Sequence, residues 1–205
     1  MYYTIDEYVE FEHIIEKSKF ICHMMPVKTK EQGDDFILQI KKKHRNATHN
    51  VPVCLIGENY EYQMYSDDNE PSSTAGLPIL ECLKKKRISD ISVVVTRYFG
   101  GIKLGTGGLV RAYTSSVLLA LENTNIKKID KYYQVLLKYE YNYDGKINFL
   151  LGTYFHKILS KDYYEKIHLK LILNIEDYMD IEKKIIDITS NNVIIDDKEI
   201  IEYMI

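Results

Sequence analysis

The chain has 205 residues, 45% of them hydrophobic, and a formal net charge of −3, which suits one large or two modest globular domains. It contains no apolar run of about 18 residues and no basic, apolar leader, so we expect neither a membrane span nor a secretory signal. Acidic and basic side chains balance over residues 1–127 and the acidic excess lies in 128–205, which excludes a strongly basic, non-specific nucleic-acid binder and leaves RNA contacts to a local patch.

The first part of the chain predicts a mixed domain of helices and strands. Alternating apolar residues predict a β-hairpin, and Thr29 is a candidate N-cap for a helix that ends in the basic run Lys41–Arg45. Two further strands follow this helix. The four predicted strands are Tyr8–Glu12, Lys19–His23, Val51–Ile56 and Tyr60–Tyr65.

A strand flanked by two helices completes this domain. Ser72 or Ser73 can cap a helix from about Thr74 to Lys86. The continuous apolar run Ile91–Thr96 is typical of a central, fully buried strand. A long helix over about Leu109–Glu122 follows, with apolar residues at helical spacing.

The polar stretch near residues 124–131 marks a domain boundary, which predicts domains at 1–126 and 130–205. The pattern of the second domain is βαββαβ, typical of a ferredoxin-like fold. We therefore expect the α+β class. The predicted strands are 132–139, 157–160, 166–175 and 193–203, and the predicted helices are 145–155 and 176–189. The strand at 166–175 lacks the aromatic residues of an RNA-recognition motif, which argues against base stacking there.

A glycine-rich segment after the central strand is the most conspicuous candidate site. Residues 100–108 hold five of the ten glycines. A turn of this kind that opens a helix presents free backbone N–H groups beside the positive end of a helix dipole, and this arrangement suits a phosphate or another anion. The spacing matches neither a Walker A loop nor a dinucleotide-binding fingerprint, and a tight turn between packed backbones is the structural alternative. The candidate residues are Arg97, Gly100, Gly101, Lys103, Gly105, Thr106, Gly107, Gly108 and Arg111. Gly107 in particular is expected to need a positive φ or a close backbone approach.

The segment 65–78 is a second candidate, because it also ends at a helix start. The hydroxyls of Ser72, Ser73 and Thr74 can cap that helix or bind an anion. Three acidic residues precede them: Asp67, Asp68 and Glu70. Carboxylates of this kind hold Mg²⁺ when a phosphate is near, but we expect them to pair with Arg97 or Arg111 or to face water, so no metal is predicted.

The cysteines and histidines do not predict a catalytic centre. The three cysteines are far apart in sequence and lie among apolar neighbours, which indicates reduced thiols in a cytoplasmic protein. Cys54 with His44 or His49 is a conceivable nucleophile pair, but Cys54 lies in an apolar strand where a thiolate is costly.

The motifs resemble the IMPACT family, in its two-domain bacterial branch. The matching segments are Lys17–Ile21, Ala47–Asn50, Asp67–Gly76 and Val94–Tyr113. The resemblance implies an N-terminal domain similar to domain IV of elongation factor G and a C-terminal domain similar to its last domain. It also implies a role in translation, since eukaryotic members are linked to translational control through an amino-acid-starvation kinase pathway. Ser73 replaces a glycine that is usual in the family motif, and Thr114-Ser-Ser replaces a usual glycine pair.

Two functions remain open at this point. The first is a non-enzymatic regulatory protein that contacts RNA, the ribosome or a translation factor through the glycine-rich face, without a cofactor. The second is a small-molecule enzyme or sensor that binds a phosphorylated ligand at the same turn, since the expected N-terminal fold is similar to that of GHMP-type kinases. No positioned base or nucleophile is visible, which favours the first.

Overall fold

The computed structural model describes residues 1–204, apart from the side chain of Asp197, and the chain divides into two compact units, Met1–Lys128 and Ile129–Met204. Both units mix helices and strands, which confirms the α+β class. The strands of the first unit are β1 (Tyr2–Ile5), β2 (Val9–Ile15), β3 (Ser18–Pro26), β4 (His49–Ile56), β5 (Tyr62–Tyr65) and β6 (Ile91–Tyr98), and its helices are α1 (Lys30–Lys43), α2 (Gly76–Lys85) and α3 (Gly105–Glu122). The later strands are β7 (Ile126–Tyr139), β8 (His156–Tyr163), β9 (Ile167–Asn174) and β10 (Val193–Met204), with helices α4 (Asp144–Leu151) and α5 (Tyr178–Thr189).

The sheet of the first unit is antiparallel, in the order β2–β3–β6–β4–β5. Strand β6 lies at its centre and is buried on both faces, as its continuous apolar run predicts. One face packs with α2 and α3 in the main core, and the other contacts α1 through Val94. Helix α1 begins with the predicted cap, because the Thr29 side chain accepts a hydrogen bond from the backbone N–H of Gln32.

Strand register positions the end of β6. Arg97 lies opposite Phe20 of β3 and His49 of β4. The chain then leaves the sheet and enters α3 at Gly105, four residues earlier than the sequence pattern indicates. The sequence pattern misses this first turn because glycine is a poor helix former and the residues 105–108 have no apolar periodicity.

The second unit has the predicted βαββαβ order, and its antiparallel strands follow the ferredoxin-like order β10–β7–β9–β8. Its core contains the alternating residues of β9, such as Leu169 and Leu171, with α4 and α5. Three boundaries differ clearly from the prediction: β7 begins at Ile126 and not at Tyr132, α4 ends at Leu151 and β8 continues to Tyr163. Four of the six residues in 126–131 are charged, so this part of the strand has no period-two apolar alternation.

The likeness of the first unit to domain IV of elongation factor G stays a prediction. Over residues 1–204, no helix is both long enough and apolar enough to cross a membrane.

Candidate functional site

Three glycines of the turn between β6 and α3 are required by the backbone. A Cβ on Gly100 would lie 2.0 Å from the carbonyl oxygen of Lys17, so only glycine permits this close approach. Gly101 and Gly105 have φ angles of +86° and +70°, in the left-handed region that glycine adopts at low cost. The Gly100 N–H also donates to Ser18 Oγ at 3.1 Å. These contacts fix the turn and hence the position of the helix that follows.

Gly107 has neither of these reasons to be glycine. Its φ is not positive, and an added Cβ would meet only Arg111 Nη1, at an ordinary 3.7 Å. The expectation of a positive φ at Gly107 is therefore wrong, and no group of the described chain closely approaches its backbone. Glycine in a helix costs about 0.5–1 kcal/mol relative to alanine. The fold does not explain this cost, and the exposed backbone at Gly107 is open to approach from outside.

The start of α3 has no internal cap. Its N-cap residue, Leu104, makes no side-chain cap hydrogen bond. Within the described residues, the N–H groups of Gly105, Thr106 and Gly107 have no acceptor. Unpartnered N–H groups at a helix start carry about half a positive charge in total. This end of α3 can therefore accept a negative group.

The start of α2 is different, because a carboxylate of the chain already occupies it. Asp67 accepts hydrogen bonds from the N–H groups of Ser73 at 2.7 Å, Ala75 at 3.1 Å and Gly76 at 2.8 Å. The N-cap is Ala75, so the prediction of a cap from Ser72 or Ser73 is wrong. The Thr74 hydroxyl donates to the carbonyl oxygen of Pro71 and is not free to bind an anion. Ser72, Ser73 and Thr74 therefore do not belong to the site developed below.

A buried cluster of charged and polar groups lies beside the α3 start. Arg97 Nη1 donates to Glu70 Oε1 at 2.7 Å, which confirms the expected pairing of an acidic residue with Arg97. The Tyr113 hydroxyl donates to the same oxygen, also at 2.7 Å, and His49 Nε2 lies 3.6 Å from it. Burial and the neighbouring Glu70 carboxylate raise the pKa of Tyr113 well above its usual range. Arg97 is thus a buried ion-pair partner and not an exposed cation.

Two further polar groups complete the description of this cluster. The Arg97 side chain is almost fully buried, yet its Nε has no hydrogen-bond partner among the described residues. His49 Nδ1 lies 2.8 Å from the carbonyl oxygen of Asp68. A carbonyl can only accept, so Nδ1 carries a proton and Nε2 faces Glu70.

Two neighbouring cavities lie at the helix start, and the first of them is also lined by this cluster. The first, called the β6–α3 cavity, measures about 460 Å³. The second, called the Arg111 cavity, measures about 450 Å³. Lys103 and Leu104 line both. The β6–α3 cavity is lined by Thr48, His49, Glu70, Pro71, Arg97, Phe99, Lys103, Leu104, Gly105, Thr106 and Leu109.

The predicted cations are therefore divided between the cavities. Arg97 lies in the first, Arg111 in the second with Gly108, and Lys103 between them. Lys103 and Arg111 are exposed, and neither has an ion-pair partner in residues 1–204.

Phe99 and Tyr113 belong to this region although the sequence prediction omits them. Two signals point to them. Phe99 is two residues after Arg97 at the end of a strand, and Tyr113 is one helical turn after Leu109, so each shares a face with a site residue.

The three acidic residues of the segment 65–78 all have hydrogen-bond or ion-pair partners within the chain. Asp68 accepts from Lys41 Nζ at 2.9 Å and from the N–H of Asn50 at 2.6 Å, and Glu70 and Asp67 have the partners given above. Among the described residues, no group of three or more His, Cys, Asp or Glu side chains is placed to hold a metal ion. Burial raises the pKa of Cys54 to about 11, so the thiol stays protonated at neutral pH and is a poor nucleophile.

The fold and the site define a two-domain α+β protein with an uncapped, glycine-rich helix start. The family model described as the Impact N-terminal domain matches residues 16–121, and the chain belongs to the IMPACT family.

Curated relatives agree with this assignment. IMPACT family member YvyE of Bacillus subtilis is 54% identical over 125 residues, which are 61% of this chain and 58% of the relative, less than two thirds of its length. IMPACT family member YigZ of Escherichia coli is 32% identical over 181 residues, which are 87% of this chain and 89% of the relative. A solved structure described as a hypothetical protein is similar with a TM-score of 0.59 and 29% identity over 95% of both chains.

Proposed function

We propose that this chain is a non-enzymatic RNA-binding protein that acts in translation, and that it binds RNA phosphates at the start of α3. The observation that carries the proposal is the open N-terminus of α3, where three N–H groups lack an acceptor among residues 1–204 and Gly107 is exposed. Backbone N–H groups at helix starts are common phosphate ligands in protein–nucleic acid complexes.

The local charges support an RNA backbone as the ligand. Lys103 and Arg111 are exposed and line one cavity beside the glycine-rich helix start, while the first unit as a whole carries no basic excess. RNA binding by this chain therefore depends on a small patch, and each cation in it has a measurable share of the affinity. A role in translation is inferred from the family, which includes eukaryotic relatives named Protein IMPACT, as in Bos taurus.

Arg111→Ala tests the proposal. A single-stranded RNA of about 12 nucleotides should bind the wild type with micromolar affinity, measured by fluorescence anisotropy at two ionic strengths. The variant should lose about tenfold in affinity, and its slope of log K against log salt should fall by about 0.7, which is one released counterion on single-stranded RNA. Arg45→Ala removes an exposed arginine outside both cavities and is the matched control. Equal losses in the two variants, or no RNA binding by the wild type, would contradict the proposal.

The size of the β6–α3 cavity favours a second candidate, a sensor or enzyme for a small phosphorylated ligand. About 460 Å³ lies within the 300–1,000 Å³ that is typical of small-molecule sites. A thermal-shift screen of nucleotides and sugar phosphates separates the two functions. A rise in Tm with one such compound, combined with absent RNA binding, would replace the first proposal with the second.

A further inference from the structure

We propose that three exposed tyrosines of the second unit, at the turn between β8 and β9, bind an arginine-rich segment of a partner protein. This tyrosine patch consists of Tyr141, Tyr163 and Tyr164. None of the three lines the β6–α3 cavity or the Arg111 cavity, so the inference goes beyond the proposed RNA-binding function and is tested separately from it.

The tyrosine patch is held in place by contacts within the second unit. Tyr141 is 50% exposed, Tyr163 62% and Tyr164 64%. The rings of Tyr141 and Tyr163 are stacked with their centroids 6.3 Å apart, and the Tyr141 hydroxyl donates to the carbonyl oxygen of Tyr164 at 2.6 Å. Side chains that are ordered before binding lose less entropy when a partner contacts them.

Aromatic side chains, and not a free strand edge, are the part of this region suited to a partner. Strand β8 lies at the edge of its sheet, but its register with β9 shifts between Ile158 and Ser160. Such an irregularity hinders pairing with a further strand. Tyrosine, by contrast, is enriched in protein–protein interfaces, and neighbouring exposed apolar side chains mark interaction sites.

The lysines beside the patch are already neutralised. Lys161 Nζ pairs with Asp144 at 2.6 Å, and Lys166 Nζ pairs with Glu140 at 3.3 Å. Neither lysine is therefore a free cation for a phosphate. This arrangement disfavours RNA as the ligand, although bases can stack on tyrosine.

The unpaired charges at the patch are negative. Asp162 and Glu165 adjoin the tyrosines in sequence, are exposed, and have no ion-pair partner in residues 1–204. The whole segment 128–205 also carries the acidic excess of the chain. Phosphates would be repelled by these two carboxylates, whereas a cationic segment would be attracted, so charge complementarity selects a basic partner.

Arginine fits the patch better than lysine does. A guanidinium stacks on aromatic rings and binds a carboxylate through two parallel hydrogen bonds. A cation–π contact already forms within the patch, since Lys161 Nζ lies 5.9 Å from the centroid of the Tyr163 ring. An arginine-rich segment can make this kind of contact with the exposed rings and pair with Asp162 and Glu165 at the same time.

A labelled peptide of about eight residues, with alternating arginine and serine, tests the proposal on the full-length chain. We expect it to bind with a Kd of about 100 μM at low salt, measured by fluorescence anisotropy. The same peptide with lysine in place of arginine should bind about threefold more weakly. A peptide with citrulline, which keeps the planar group without the charge, should bind at least tenfold more weakly.

Variants of the tyrosines locate the binding. Tyr163→Ala combined with Tyr164→Ala should lose about tenfold in affinity for the arginine peptide, whereas the corresponding double phenylalanine variant should retain it, because the rings make the contact. Tyr65→Ala removes an exposed tyrosine of β5 and is the matched control. Affinity for single-stranded RNA should be the same in all of these variants. A loss of RNA affinity in the double alanine variant, with peptide affinity unchanged, would assign the patch to RNA and overturn the proposal.

A pair of charge variants separates the patch from the net charge of the second unit. Glu165→Gln should lose about threefold in affinity for the arginine peptide and show a weaker salt dependence. Glu176→Gln removes an exposed carboxylate beyond the other end of β9 and should leave both unchanged. Equal losses in these two variants, equal binding of the arginine and citrulline peptides, or no binding of the arginine peptide would overturn the proposal. None of these outcomes bears on RNA binding by the first unit.

Discussion

Helices α2 and α3 have similar sequences at their starts, but the N–H groups of the α2 start are hydrogen-bonded to a carboxylate and, within residues 1–204, those of the α3 start are not. Both start with a glycine, Gly76 and Gly105, and the sequence predicts an anion site at each. At α2, the Asp67 carboxylate accepts from three N–H groups, so the fold supplies its own anion. At α3, no carboxylate within the described residues reaches the N–H groups. Glycines and hydroxyl residues therefore indicate a helix start that could bind an anion. Whether it can do so depends on whether a carboxylate several residues away in the sequence already accepts from the N–H groups, as Asp67 does at α2.

The largest effect should come from giving α3 an anion of its own. Gly107→Asp places a carboxylate in the first turn of α3, four residues before Arg111, where it can interact with the N–H groups and with the guanidinium. RNA affinity should fall about 100-fold, while Tm should stay the same or rise because an acidic residue stabilises a helix start and glycine does not.

Gly107→Asn is the matched control for this variant. It has nearly the same size without the charge, and its RNA affinity should fall only a few fold. Equal losses in the two variants, measured by fluorescence anisotropy, would mean that space and not charge matters at this position.

The converse change removes the internal anion of α2. Asp67→Ala deprives three N–H groups of their acceptor, and lost N-caps typically cost about 0.5–2 kcal/mol. We expect a loss of roughly 2 kcal/mol in the free energy of unfolding, measured in urea, with RNA affinity unchanged. Asp35→Ala removes an exposed carboxylate from α1 and should cost far less. A large loss of RNA affinity in well-folded Asp67→Ala would place part of the binding site at α2.

Lys103 should contribute to binding without contributing to folding. It lines both cavities and has no ion-pair partner in the described part of the chain, so Lys103→Ala removes one phosphate contact. RNA affinity should fall about tenfold and the salt slope by about 0.7, with Tm unchanged. Lys42→Ala, at an exposed position of α1 away from both cavities, controls for the loss of one positive charge. Identical salt slopes in the two variants would speak against a specific role for Lys103.

The smallest effect is expected at Ser73, whose φ of +61° is strained for a residue with a Cβ. Ser73→Gly relieves this strain, but glycine also gains entropy in the unfolded chain, so we expect a net gain of about 0.5 kcal/mol. Ser72→Gly, where φ is not positive, should instead lose a few tenths. Neither variant should alter RNA affinity, and a change in binding would reopen α2 as part of the site.

The sequence predicts the order of the elements apart from β1, which it misses, because each of the others has a local signal. The alternation in β9, the apolar run in β6 and the Thr29 cap of α1 are all local and correct. The start of β7 is missed, since the mostly charged residues 126–131 have no alternating pattern. The structure also places the strained φ of Ser73 where the family motif has glycine, a position that sequence alone could only note as a departure.

The site is less predictable because its contacts are long-range. Arg97 and Glu70 are separated by 27 positions, and Tyr113 and Glu70 by 43. The sequence identifies Arg97 as a candidate cation, but its burial depends on strand register and on the segment that carries Glu70. Gly107 shows the reverse case, since glycine content alone cannot distinguish a glycine that the backbone requires from one that leaves a surface open.

The most direct measurement compares the two helix starts in one titration. Short single-stranded RNA, with inorganic phosphate as a second titrant, is added to uniformly ¹⁵N-labelled protein, and the amide resonances are followed by NMR. Our account predicts saturable shifts at Gly105, Thr106 and Gly107, and none beyond the background at Ser73, Ala75 and Gly76, whose N–H groups already bind Asp67. Saturable shifts at the α2 start, or an α3 start that does not respond while RNA binds elsewhere, would contradict it.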